Sequence, residues 1–274
     1  PNGIICPKCQ CRKIGKTSRG LYKCSQCAYN ISITVGTIFE NTRKPLRLWF
    51  HVMWFLTAQK VGVSAKNLHE SFGFGSYQTI WGWLHKLRNI MVFPGRKLLS
   101  GTVEVDETYI GANKRRKRGR GAENKILVVI AVELDKKLLS RVRARCINDA
   151  SADSLIPFVK ENIKIGSEVI TDDWNGYNSL NKIGYNHRIH NITKSEKKAS
   201  ELLPHVHLVV SLLKRWLIGT YQGAVTSEHL NDYLNEFSFR FNRKKSLYRG
   251  KLFYRLMQQA VSTTTKGIKD FYIK

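Results

Sequence analysis

Apolar and polar positions alternate through Val103 and Val105 in TVEVDETYI (102–110), which predicts a strand. Glu104, Asp106 and Glu107 interrupt an otherwise apolar segment, so the strand carries carboxylates where a core strand should have none. Further on, KILVVIAVEL is continuously apolar and predicts a strand buried on both faces, and LLSRVRARCI alternates as a third. A helix is predicted from near Ser151 through SADSLIPFVKENI, then a fourth strand, SEVIT, ending at Asp172. Another short helix and a fifth strand in YNHRIHNI lead to a long helix in LPHVHLVVSLLKRWL. Two helical stretches, SEHLNDYLNEFSFRFN and GKLFYRLMQQAV, close the pattern.

Three antiparallel strands followed by alternating helices and strands is the ribonuclease H-like order. The fold class expected is α/β, a mixed sheet with flanking helices, over residues 101–262. Ahead of it, residues 41–95 read as helical. Leu48, Trp49, Val52, Met53 and Leu56 recur at helical spacing over 44–60. Ser64 can cap a short helix through His69, GFGS makes a turn, and Ser76 can cap a second helix that turns Ile80, Trp83, Leu84 and Leu87 inward. Helix, Gly-containing turn and helix is the helix-turn-helix pattern, and a plain helical hairpin is its alternative. As a recognition helix, the second would present Tyr77, Gln78, Lys86 and Arg88 to DNA.

Five of the six cysteines lie in the first 40 residues: Cys6, Cys9, Cys11, Cys24 and Cys27, with Cys146 far away. CPKC and CSQC each aim two thiolates at one point, so Cys6, Cys9, Cys24 and Cys27 predict one tetrahedral zinc in a ribbon over 1–40. Cys11 is a possible competitor for Cys9. YNISITVG alternates and suits a strand of that ribbon.

Charge narrows the partner. Forty-six Lys and Arg against twenty Asp and Glu give a net charge of +26 in 274 residues. A folded chain so basic points to nucleic acid, here double-stranded DNA. No signal peptide is visible, and the longest apolar runs are too short to span a bilayer, so a cytoplasmic, membrane-free location is expected. The run Lys114, Arg115, Arg116, Lys117, Arg118, Arg120 is a candidate phosphate clamp or basic arm.

In the predicted strand order the first and fourth strands are neighbours, which brings Asp106 and Asp172 together. Two close carboxylates repel unless a cation neutralises them, and hard divalent ions do so. Read singly, Asp106 could be a surface acid and Asp172 a helix cap before Trp174. His207 and Lys214 lie seven residues apart on one helix face, with Val206, Val209, Val210, Leu213 and Leu217 on the other. Asp173 and Glu107 are expected to point elsewhere, in supporting or structural roles.

Together, CPKC…YKCSQC, GTIFENTRKPLRLWF, VEVDETYIG, VITDDWNGY, SLLKRWLIGTYQG and NEFSFRFNRK resemble bacterial insertion-sequence transposases. The group is ISXO-like and Merlin-related, and joins an N-terminal zinc ribbon to a DDE-type, ribonuclease H-like domain. The resemblance implies that Asp106 and Asp172 are catalytic acids holding magnesium or manganese. It puts His207 at the third metal-binding position, usually Glu, and Lys214 at a DNA phosphate. It also implies binding of transposon ends within residues 1–95, cutting there, joining to target DNA, action as a homo-oligomer on DNA, and a bacterial, nucleoid-associated location. The neighbouring aspartates are expected to raise the His207 imidazole above its unperturbed pKa of about 6.5 while no metal is bound. Two readings compete: a sequence-specific DNA-binding protein that has lost catalysis, and a ribonuclease H-like nuclease without strand transfer.

Overall fold

A computed structural model of the chain describes residues 3–18, 21–93, 95–111, 125–191, 199–222 and 225–263. The basic run from Lys114 to Arg120 lies outside them. No helix of the described residues is long and apolar enough to cross a membrane.

The N-terminal unit is a three-stranded antiparallel sheet of β1 (Ile14–Lys16), β2 (Tyr22–Cys24) and β3 (Asn30–Ile31). The alternation of YNISITVG supports only those two residues of β3. Beyond Ile31 the Ser32 hydroxyl accepts the Thr34 N–H and pairs with the Thr34 hydroxyl, and the chain turns. Local side-chain bonds of this kind compete with a ladder.

Three helices follow: α1 (Leu46–Ala58), α2 (Ala65–Phe72) and α3 (Tyr77–Ile90). Trp49, Val52, Met53 and Leu56 are buried, as are Ile80, Trp83, Leu84 and Leu87, while Leu48 packs against that core only partly buried. Trp49 and Trp83 stack at 3.7 Å, and Phe39 and Phe74 close on them edge-on. Ser64 caps α2 by accepting the Asn67 N–H. Ser76 stands before α3 without capping its backbone; its hydroxyl donates to the Gln78 side-chain carbonyl instead. The core of these helices is completed by the far end of the chain. Phe239, Leu252, Leu256 and Ala260 pack into it.

The larger sheet has β4 (Thr102–Ile110), β5 (Ile126–Asp135), β6 (Leu138–Ile147), β7 (Glu168–Asp172) and β8 (Asn186–His190) in the order β6-β5-β4-β7-β8. β4, β5 and β6 run antiparallel, while β7 and β8 run parallel to β4, the ribonuclease H-like arrangement. Helix α4 (Ala152–Asn162) covers one face over Val103, Val105, Val129 and Ala131. The short α5 (Ala199–Leu202) leads into α6 (Pro204–Tyr221), and α6 and α7 (Ser227–Phe241) cover the other face over Val128, Ile130, Val132 and Ile170. Helix α8 (Arg249–Ser262) returns to α1.

Candidate active site

Period-two geometry puts Glu104 and Asp106 on the α6 face of β4, and Ile170 and Asp172 on the same face of β7. The parallel pairing of β4 with β7 ends at Glu104 beside Ile170. Two residues further along each strand stand Asp106 and Asp172, at the mouth of the crevice where the paired strands part. The chain leaves β4 towards β5 on one side and β7 towards β8 on the other. That is the switch point at which open α/β sheets place their sites.

Asp106 is mostly buried. Burial, the nearby Asp172 and Glu104 push its carboxyl up to about 7, against the Glu107 N–H that donates to its Oδ1 at 2.8 Å and against the Lys214 charge. Asp172 Oδ1 accepts the Trp174 N–H at 3.2 Å, so this aspartate also caps the turn after β7. That turn needs Gly176: a Cβ there would stand 2.7 Å from the Ala150 carbonyl oxygen.

Helix α6 carries the remaining residues. Val206, Val209, Val210, Leu213 and Leu217 are buried on the sheet. The opposite spacing brings His207 Nε2 to 3.5 Å from Asp106 Oδ2 and puts Lys214 within the same field. Burial lowers the Lys214 ammonium, helped by Lys125 and opposed by Asp106. His207 departs from expectation in direction. Its pKa is lowered, because desolvation, helped by Lys214, outweighs the pull of Glu104.

Glu104 plays a part that pattern reading missed. Its Oε2 accepts the His205 and Val206 N–H groups at 3.0 and 2.8 Å, and its Oε1 meets His205 Nδ1 at 2.6 Å. The buried carboxylate therefore caps the N-terminus of α6, satisfying donors that a helix leaves unpaired. It fixes the helix two residues before His207. The available signal was alternation, which places Glu104 on the face of Asp106. Glu107 faces away, and its carboxylate accepts the hydroxyl of the buried Tyr177. Asp173 accepts the Asn191 amide.

The four ribbon cysteines converge. Cys6 and Cys27 sulfurs lie 3.5 Å apart, as do those of Cys9 and Cys24, and all four fall within 4.8 Å of one another. Tetrahedral zinc with Zn–S of about 2.3 Å needs sulfurs about 3.8 Å apart, so the cluster could hold that ion. The two turns repeat one backbone form, with Gln10 and Ala28 both at positive φ after their C-x-x-C. Cys11 stands outside the cluster, its sulfur accepting the Lys13 N–H. The thiols divide the protons among them: the Cys27 N–H helps hold Cys24 down to about 6, while its neighbouring thiols push Cys9 up to about 12.

The residues expected to face DNA divide. Tyr77 and Gln78 are exposed at the start of α3. Lys86 and Arg88 are buried, so their presentation to DNA is corrected. Arg88 Nε donates to Glu236 at 2.8 Å, its Nη2 reaches the Val63 carbonyl and Tyr221 hydroxyl, and its guanidinium lies over the rings of Tyr221 and Tyr233. The cause is α7, which packs on the side of α3 that a free helix-turn-helix would leave open.

A family model described as the ISXO2-like transposase domain matches residues 98–242. An uncharacterised protein in transposable element ISH50 of Halobacterium salinarum is 24% identical over 261 residues, covering 87% of this chain and 85% of that one. Among solved structures, the catalytic core domain of BIV integrase aligns with TM-score 0.36 and 15% identity, over 58% of this chain and 97% of that one. A pre-cleavage Mos1 transpososome aligns with TM-score 0.30 and 13% identity, over 83% and 82%. Matched over more than half of its length, the chain belongs to the ISXO2-like transposase domain family.

Proposed function

We propose that the chain is the DNA transposase of an insertion sequence, binding terminal inverted repeats, cutting there and joining the freed 3′-hydroxyl to target DNA. The supporting observation is the placement of Asp106, just past the point where β4 stops pairing with β7, on the same sheet face as Asp172 at the end of β7, with Asp106 pushed up to about 7 and α6 bringing His207 and Lys214 to Asp106. A buried carboxyl whose ionisation is disfavoured by desolvation and by the neighbouring Asp172, together with that second carboxylate and an imidazole, suits magnesium or manganese. Bound there, such an ion supplies activation of the attacking oxygen and relief of charge on the leaving oxygen. Asp106, Asp172 and His207 hold the ion in this reading. Lys214 offers its positive charge to the phosphate near the cut. Glu104 positions the helix that carries both His207 and Lys214.

The test uses the full chain, a duplex carrying the DNA that flanks its own reading frame, and magnesium or manganese. End-specific cuts are expected, followed by joining of a pre-cut end to a second duplex. Binding without cuts would favour the inactive DNA-binding reading. Cuts without joining would favour a plain nuclease. On the DNA-binding side, Tyr77 and Gln78 at the N-terminal end of α3 remain the positions offered to bases. A fragment ending at residue 95 would lose α8 and expose the core around Trp49, so recognition has to be tested in the whole chain.

Protons and metal compete for the candidate site. Because Asp106 sits near 7 before metal binds, the metal needed for half-maximal cutting should rise as pH falls. With one proton displaced, the rise is about tenfold per unit below pH 7. Burial lowers the His207 pKa, so its own acid limb should lie below that of an ordinary imidazole. Its contribution should appear as metal preference: His207→Glu is expected to move the optimum from manganese towards magnesium, and His207→Ala to weaken cutting in both. Equal rates and equal preference in all three proteins would remove His207 from the site.

We further infer that Cys6, Cys9, Cys24 and Cys27 hold one zinc. The ribbon's own apolar core is small, with Ile31 the one fully apolar side chain buried beside the thiols among the described residues, so its folding should depend on the metal. Cys24→Ser is expected to release one zinc per chain and make residues 3–36 rapidly cleavable by protease. A variant that keeps its zinc would contradict the assignment.

A further inference from the structure

Where α3 meets α7, His85, His229 and Asp232 converge outside the candidate active site. His229 and Asp232 stand three residues apart on α7, hence on one helix face, and His85 approaches from α3. His85 Nδ1 lies 2.6 Å from Asp232 Oδ2, and one ligating atom from each of the three residues falls within 4.8 Å of the others. His85 is completely buried, Asp232 nearly so, and His229 half-buried, which gives the cluster one side open to solvent. The Trp81 ring walls it, 4.1 Å from the His85 ring and edge-on to His229 at 4.8 Å.

A hydrogen-bonded histidine and aspartate could by themselves be an ordinary core pair. The third residue changes the chemistry. Two imidazoles and one carboxylate within a single ion's reach form the donor set that borderline first-row transition metals prefer, and three protein ligands leave one position for water. Magnesium and calcium, which prefer oxygen, suit it less. The nearby Arg88 charge, which would oppose a cation, is already balanced by Glu236.

We propose that His85, His229 and Asp232 form a second transition-metal site, taking a zinc-class divalent ion that pins the second helix of the helix-turn-helix region to α7. The ion would couple the position of Tyr77 and Gln78, at the exposed end of α3, to the helix packed on the catalytic face of the sheet. The proposal does not depend on DNA cutting, and metal counting tests it separately.

The measurement is zinc per chain by mass spectrometry on full-length protein, after zinc is added back and free metal removed. It is made in an Asp106→Asn background, so that zinc at that aspartate is not counted. The parent should hold two zinc ions. His229→Ala, a change at a half-buried position, should hold one, and so should Cys24→Ser. Cobalt substitution separates the two sites. The sulfur-to-cobalt absorption should survive in His229→Ala and vanish in Cys24→Ser. Added zinc should also raise the melting temperature of the parent more than that of His229→Ala. His229→Gln gives a second route should the alanine variant fold poorly. One zinc in parent and variant alike, or two in both, would overturn the proposal.

Discussion

Asp106→Asn is expected to lower metal-dependent DNA cutting by roughly a thousandfold while leaving DNA binding intact. The same change should stabilise the metal-free fold at neutral and higher pH. The ordinary Asp value is 3.8, and in the folded chain burial and Asp172 raise it to about 7. The folded state therefore binds the proton more tightly than the unfolded chain. That contribution is complete below about pH 4 and is lost as pH rises through 7. Asparagine carries no charge to bury, so its advantage over wild type should grow across this window and level off above it. At about 1.36 kcal/mol per pKa unit the ceiling is on the order of 4 kcal/mol. Denaturant melts of both proteins, without added magnesium or manganese, would show the crossing. Loss of cutting together with a gain in stability is the signature of a residue kept for function. A destabilised Asp106→Asn would mean that the carboxylate serves the fold.

The second large effect concerns Arg88, which on sequence pattern alone belongs among the DNA contacts. Arg88 and Arg240 share the fully buried Glu236. Removing one member of a buried ion pair leaves an uncompensated charge, and costs about 3–5 kcal/mol. Glu236→Gln is expected to destabilise the protein by that order. Arg88→Met should cost less, because Arg240 still neutralises the carboxylate. The double change Arg88→Met with Glu236→Leu should be milder than the sum of its parts. If Arg88→Met melts like wild type and loses only its preference for transposon ends, Arg88 reads bases and the packing account is wrong.

These two residues show what was legible in the chain. Asp106 stood out because an ionisable side chain inside a valine-rich strand breaks a local pattern, and the strand order then supplied Asp172 as its neighbour. Most buried positions of α1, α3 and α6 followed from helical spacing, and the convergence of Cys6, Cys9, Cys24 and Cys27 from C-x-x-C. Arg88 was misplaced for the opposite reason. Its environment is made by Glu236 and Tyr221, more than 130 residues away, and no local period encodes which side of α3 that distant helix covers. Glu104 was visible as an acid but not as a cap, because its partners are backbone N–H groups about a hundred residues on. The direction of the His207 shift also escaped: counting neighbouring acids suggests a rise, while the larger effect is desolvation of the half-buried ring.

The central claim is that Asp106 and Asp172 share a divalent ion, and anomalous diffraction from crystals equilibrated with manganese tests it most directly. The account predicts a manganese peak at Asp106 and Asp172, near His207, that disappears in Asp106→Asn. A peak elsewhere, or none at these residues while the crystallised protein still cuts transposon-end DNA in solution, would contradict it.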